Sequence, residues 1–294
     1  MVKGGVVEEF RAADGGSYAL KKLPEITLAF WVMKIAATTL GETAGDLLAQ
    51  TLRLGYFLTT VVLLLVFVTT LAVQLGSRAY NPFFYWAVIL STSTAGTTIS
   101  DFMNRDASGK YLATGTGSLG WGPQGLGLGY PVGAAILISL LIAVFAVWKQ
   151  TGLTFAIRDI NTLRGEGLFW SAILVSNTLG TSMGDFLADS SGLGYAGSAL
   201  LILGLLGLLL ALRYVPAASN VLLFWLAFVL TRPLGATVGD FLTKPVAKGG
   251  LALGTLGSSA VLLALLFGMV GFAHTREKRR VAVPGAGVVS VSSS

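Results

Sequence analysis

Four aspartates, Asp46, Asp101, Asp185 and Asp240, each stand in an otherwise apolar segment and each close a version of one short motif. The copies are Gly41-Glu42-Thr43-Ala44-Gly45-Asp46, Gly96-Thr97-Thr98-Ile99-Ser100-Asp101, Gly180-Thr181-Ser182-Met183-Gly184-Asp185 and Gly235-Ala236-Thr237-Val238-Gly239-Asp240. A carboxylate among apolar groups ionises only if a cation or hydrogen-bond donors compensate it, so the chemistry on offer is charge handling. Three residues before each Asp stands a hydroxyl (Thr43, Thr98, Ser182, Thr237), which on a helix shares the carboxylate's face. The residue directly before each Asp is small, which lets another helix approach closely.

The copies are unequal. Only in the first does a second carboxylate, Glu42, stand one turn before the Asp; the matching positions are Thr97, Thr181 and Ala236. Glu42 with Asp46 is therefore the candidate metal pair. The candidate ion-binding set is Glu42, Asp46, Asp101, Asp185 and Asp240, assisted by Thr43, Thr98, Ser182 and Thr237. Lys34 and Arg232 also lie in apolar runs and are expected to act as charge partners, Lys34 for Glu42 or Asp46 and Arg232 for Asp240. Five acids against two bases cannot all stay ionised alone, because an isolated charge at a bilayer centre costs at least about 2.5–3.5 kcal/mol. Oxygen-only ligands suit H⁺, Na⁺, Mg²⁺, Ca²⁺ or Mn²⁺. With no Cys, and with the single His in a basic segment, Zn²⁺ and Cu⁺ are poorly served. A bound cation is the one cofactor-like group expected.

Two plainer accounts compete. Small hydroxyls are ordinary in helix contacts, so the Thr and Ser positions alone read as packing. An intramembrane aspartyl protease would need two aspartates sharing a proton, typically within Gly-x-Gly-Asp. Here the first Gly of that pattern is missing from every copy, and no enzymatic activity is expected.

The elements that would hold these residues are membrane helices. The chain of 294 residues is 54% hydrophobic and 12% charged, with mean hydropathy +0.76. Leu54–Gly76, Gly129–Trp148, Gly194–Leu212 and Leu251–Ala273 each reach the roughly 20 residues that cross a hydrocarbon core. Continuous runs favour helices over a barrel, whose strands would alternate. Eight spans are expected, at 25–50, 55–76, 82–104, 129–149, 167–189, 194–214, 220–243 and 251–273, the first opened by Pro24. The fold class is all-α: a polytopic membrane bundle of about eight helices built as four two-helix repeats, at about 24–80, 81–150, 165–215 and 219–273.

A Trp lies 15 positions before each Asp (Trp31, Trp86, Trp170, Trp225), preceded by Phe30, Tyr85, Phe169 or Phe224. These Trp residues read as interfacial anchors. Each second helix opens on Leu-Gly-Tyr, with Thr255 replacing Tyr in the fourth copy. The links between Asp and that Gly differ, the longest being the Gly-rich loop Ala107–Gly127. Residues 1–23 read as a polar cytoplasmic tail without a cleavable signal, the first span serving for insertion. Residues 274–294 read as a disordered basic tail. Thirteen Lys and Arg fall on the side of both termini against five on the other, which places both termini in the cytoplasm. The net charge of +6 then faces anionic lipid, and nucleic acid is not an expected partner. Oligomeric state is left open.

Three stretches carry a resemblance: Phe30-Trp31-Val32-Met33-Lys34-Ile35-Ala36-Ala37-Thr38-Thr39-Leu40-Gly41-Glu42, Thr231-Arg232-Pro233-Leu234-Gly235-Ala236 and Lys248-Gly249-Gly250-Leu251-Ala252-Leu253-Gly254-Thr255. Together they resemble the bacterial repeat-containing "membrane-anchored protein" family over about residues 24–273. The resemblance implies a bacterial inner-membrane protein of some eight spans and carries no activity with it. A weaker similarity is to cation/proton exchangers with Glu-x-Gly-Asp in paired repeats. The Glu-to-Asp gap in the first copy is one residue longer, and the other copies lack the Glu. The expected function is a multi-pass transporter of a hard cation, with protons competing for its carboxylates. The alternatives are a non-transporting scaffold or sensor, or a transporter of a small organic ion.

Overall fold

The computed structural model describes Pro24, Ile160 and residues 26–77, 80–105, 125–156, 162–216 and 218–282, with side chains to Arg276. The expected N-terminal tail, most of the Gly-rich loop and the chain beyond Ala282 lie outside them. Among the described residues there are eight long helices and no sheet: α1 (Leu28–Asp46), α2 (Tyr56–Gly76), α3 (Pro82–Asn104), α4 (Tyr130–Gln150), α5 (Leu163–Asp185), α6 (Gly194–Leu212), α7 (Asn220–Thr243) and α8 (Thr255–Ala282). Five of them, α2, α4, α6, α7 and α8, are long and apolar enough to cross a membrane.

Odd and even helices have different starts and different jobs. Each odd helix begins at a polar cap whose side chain accepts a backbone N–H: Thr27, Asn81, Thr162 and Ser219. The first helix therefore starts at Leu28, not at Pro24, because Thr27 supplies the cap. Even helices follow links in which Gly55, Gly129, Gly194 and Gly254 all take positive φ. Two residues before each of these lies a second left-handed residue: Arg53 (φ 57°), Gly127 (φ 66°), Gly192 (φ 82°) and Ala252 (φ 53°). After Asp46 and Asp185 the helix relaxes into a π-helical turn, Leu47–Thr51 and Phe186–Ser190. After α3 and α7 the longer links return instead. Leu126 and Leu128 donate to the carbonyls of Phe102 and Met103, and Leu251 and Leu253 donate to those of Phe241 and Leu242. Both devices satisfy orphan C-terminal carbonyls.

The odd helices form a closed inner ring in the order α1, α3, α5, α7 and back to α1. Each even helix packs on the odd helix of the following repeat: α2 on α3, α4 on α5, α6 on α7, and α8 on α1. The long apolar runs are thus mostly the outer layer, and they expose rows of Leu, Val, Ile and Phe. The last helix continues past Ala273 to Ala282, so the first part of the expected tail is helical, with His274 edge-on to Phe83 at 5.0 Å.

Two devices fasten the inner ring. A glycine five residues before each Asp meets the next repeat: Gly41 faces Ser93, Gly96 faces Asn177, Gly180 faces Arg232, and Gly235 faces Thr38. A Cβ on Gly180 would lie 2.5 Å from Arg232 Cβ, so only glycine fits. Near the other end the aromatic pairs interlock. Phe30 meets Trp86 at 5.7 Å, Tyr85 meets Trp170 at 5.7 Å, Phe169 meets Trp225 at 6.0 Å, and Phe224 meets Trp31 at 5.6 Å. Such contacts contribute about 0.5–1.5 kcal/mol each beyond burial. Trp86, Trp170 and Trp225 are buried here, so the expectation of interfacial anchors is corrected. Their partners across the ring take them inward.

Candidate functional site

The repeat places the same position of all four inner helices at one level, so the axis is a stack of layers. Below the aromatic belt lie Thr38, Ser93, Asn177 and Arg232, eight residues before each Asp. One turn further come Glu42, Thr97, Thr181 and Ala236, then the aspartates. All five acids of the expected set are buried.

The aspartates are brought together in pairs, not as one ring of four. Lys244, one turn after Asp240, reaches Asp240 Oδ1 at 3.1 Å and Asp46 Oδ2 of α1 at 2.6 Å. Arg105, one turn after Asp101, reaches Asp101 Oδ1 at 2.6 Å and Asp185 Oδ2 of α5 at 3.4 Å. Each cation therefore bridges its own repeat to the next. The two clusters sit on opposite sides of the ring. The Lys244 side is richer in acid: one oxygen each of Glu42, Asp46 and Asp240 lie within 4.8 Å of one another, and Gln50 Nε2 donates to Asp46 Oδ1.

Arg232 crosses the axis. From α7 it donates to the Thr38 carbonyl on α1 (3.3 Å), and on the opposite helix α3 to the Ser93 carbonyl (3.2 Å) and Thr97 Oγ1. It pairs with Glu42 Oε2 at 3.1 Å. Both charge-partner expectations need correction. Arg232 meets Glu42 instead of Asp240, and Lys34 makes no ion pair among the described residues; its Nζ lies 4.0 Å from the Phe228 ring centroid. The reason is geometric. Eight helical residues rise about 12 Å, so Lys34 cannot reach Glu42, nor Arg232 reach Asp240, along its own helix.

The four assisting hydroxyls turn elsewhere. Thr98 and Thr237 donate to carbonyls of their own helices, as helical Thr commonly does. Thr43 donates to Leu40 and accepts from Ser259 of α8. Ser182 joins Ser100 and Asn104 Nδ2 in a link between α3 and α5. None is hydrogen-bonded to a repeat aspartate among the described residues.

Arg105 and Lys244 are the residues missed from sequence. Their signal was present: Asp-x-x-x-Arg and Asp-x-x-x-Lys are one-turn ion-pair spacings. Each lies just past an apolar run, where a basic residue reads as a flanking charge. With them, five carboxylates face four cations, and the surplus of acid in the interior falls from three to one.

Fold and site define a closed ring of four helix pairs around a buried acid–base axis. The chain belongs to the family described as Repeat of Unknown Function (DUF347), whose model matches residues 29–80, 84–154, 168–219 and 223–279. The four-fold repeat read from the aspartate motif is the family's own unit. No curated protein and no solved structure matches the chain.

Proposed function

We propose that this protein is a multi-pass membrane transporter of a hard inorganic cation, with Glu42, Asp46 and Asp240 as the cation's ligands. One observation carries the proposal: one oxygen each of three buried carboxylates from two helices lies within 4.8 Å of the others, and the Lys244 ammonium bridges two of the three, Asp46 and Asp240. Lys244 acts as a tethered cation. When it withdraws, the freed oxygens accept Na⁺ or a divalent ion such as Mn²⁺, Mg²⁺ or Ca²⁺, and protons compete for the same oxygens. The Lys244 side chain is 18% exposed at the Asp end of the ring, so a path outward is short. Asp101 and Asp185, held by Arg105, form the fixed half.

In this proposal all eight helices span the bilayer as four two-helix repeats, with outer helices facing lipid and three of the four inner helices, α1, α3 and α5, too polar to be recognised by hydropathy. The Lys/Arg bias supports both termini in the cytoplasm, and the bacterial inner membrane is what the resemblance of the three quoted stretches implies. No catalytic step is assigned.

Cation flux into proteoliposomes is the test. Wild-type protein is expected to carry a hard cation above the level of empty vesicles, and Asp46→Asn, Asp240→Asn and Glu42→Gln are each expected to lower that flux. Unchanged flux in all three variants would sink the proposal. A second reading, a non-transporting scaffold, is favoured by the basic partner that every repeat aspartate already has. It predicts that wild-type flux equals that of empty vesicles.

A further inference from the structure

Between the aromatic belt and the acid end, the ring holds a second set of buried polar groups with the opposite character. Lys34 and Arg232 are 0% exposed, Ser93 is 0% and Asn177 1%. Lys34 Nζ, Arg232 Nε, Ser93 Oγ and both side-chain atoms of Asn177 have no hydrogen-bond partner among the described residues. Buried polar groups are paired in the great majority of cases, so a concentration of five unpaired atoms in adjoining layers calls for an occupant.

The sign of that occupant follows from the charges. Arg232 uses its terminal nitrogens on Glu42, Thr97 and the carbonyls of Thr38 and Ser93. Glu42 is therefore taken by Arg232, and Lys34 has no carboxylate beside it among the described residues. The Phe228 ring at 4.0 Å offers only a cation–π contact. Asn177 occupies α5, the helix diagonally across from α1, at the level of Arg232 and one turn from that of Lys34. The unused groups are predominantly N–H and O–H donors, set among two basic side chains and one carboxylate.

We propose that this mid-ring layer binds a small monovalent anion of halide size, held by Lys34 Nζ, Arg232 Nε–H and the Asn177 amide. The glycine contacts at the same level, Gly41 on Ser93 and Gly96 on Asn177, draw the inner helices together and keep the site small. An anion here compensates Lys34 without drawing on the aspartates below. The site goes beyond the cation proposal and stands without it.

The test uses purified full-length protein in nanodiscs, with sodium chloride replacing sodium gluconate at constant sodium and ionic strength. The melting temperature of the wild type is expected to rise saturably with chloride. Lys34→Met removes the charge with little change of shape, and that variant is expected to lose the chloride-dependent rise. Asn177→Leu, which leaves every charge in place, is expected to weaken it. Equilibrium dialysis of radioactive chloride against the same proteins separates binding from folding should one variant melt too early to read. A wild-type melting temperature indifferent to the exchange would overturn the proposal. So would a rise, or bound chloride, that persists undiminished in both variants, since that places the anion elsewhere.

Discussion

The Lys244 cluster and the Arg105 cluster occupy equivalent places on opposite sides of one ring, yet they are built for different behaviour. Each has a cation one turn past its aspartate, bridging to the aspartate of the next repeat. An ammonium is a compact point charge on a flexible stem, and a guanidinium is a planar fork that holds carboxylates in a fixed geometry. The Lys side adds a third carboxylate, Glu42; the Arg side has Thr181 at the matching position of repeat three. Backbone strain follows the same division. The link residues forced into left-handed φ without being glycine, Arg53 and Ala252, belong to repeats one and four, which build the Lys244 cluster. The equivalents in repeats two and three are Gly127 and Gly192. On the proposed function, the Arg105 half is the locked one and the Lys244 half, which carries the two strained links, is the one that exchanges its cation.

The sharpest way to break this contrast is to delete each cation. Removing one partner of a buried ion pair costs about 3–5 kcal/mol, so Lys244→Met and Arg105→Met should both lower the melting temperature in nanodiscs. Millimolar Mn²⁺, Mg²⁺ or Ca²⁺ should restore Lys244→Met and leave Arg105→Met low. Equal rescue, or none, would erase the distinction. A swap of cation type is next in size. Lys244→Arg keeps the charge and should stay near wild-type stability while cation flux falls roughly ten-fold or more, because a fork on two carboxylates leaves less readily. Arg105→Lys should leave flux near the wild-type rate.

A third experiment asks whether Glu42 belongs to Arg232 or to the Lys244 cluster. In a double-mutant cycle on thermal stability, Arg232→Met and Glu42→Gln should couple by about 0.5–3 kcal/mol. Glu42→Gln with Lys244→Met should couple less. The smallest effect concerns the links. Ala252→Gly should stabilise the protein by ~1 kcal/mol or less, relief of left-handed strain being offset by unfolded-chain entropy. Gly127→Ala and Gly192→Ala should go the other way, and all three are readable as shifts in melting temperature.

Much of this architecture was legible in the residue order, and the parts that were not share one cause. Helices α2 to α7 lie close to the expected spans, because caps, apolar runs and Gly-marked links are local signals. The repeat was legible because position within it decides position in the ring. What local order does not carry is the neighbour: Arg232 reaches Glu42 across 190 residues, and Lys244 reaches Asp46 across 198. The pairs assumed along one helix, Lys34 with Glu42 and Arg232 with Asp240, failed on distance. The one-turn pairs Asp101 with Arg105 and Asp240 with Lys244 are readable from spacing, but each cation's position at the end of an apolar run gives it the look of a flanking charge. The burial of the Trp residues depended on ring closure, which no single segment encodes.

That closure also bears on how the molecule is made. Each even helix rests on the next odd helix, so α2, α4 and α6 find their seats as soon as the following helix is synthesised. The seat of α8 is α1, the first helix to be completed. Its contacts, Thr51 with Thr255 and Ser259 with Thr43, span 204 and 216 residues. Until α8 arrives, the outer face of α1 beside the acid-rich Lys244 cluster lacks its cover. Assembly should therefore end with a slow, long-range docking step, and a chain stopped after α7 would hold the Arg105 half covered beside a Lys244 half whose outer face is bare.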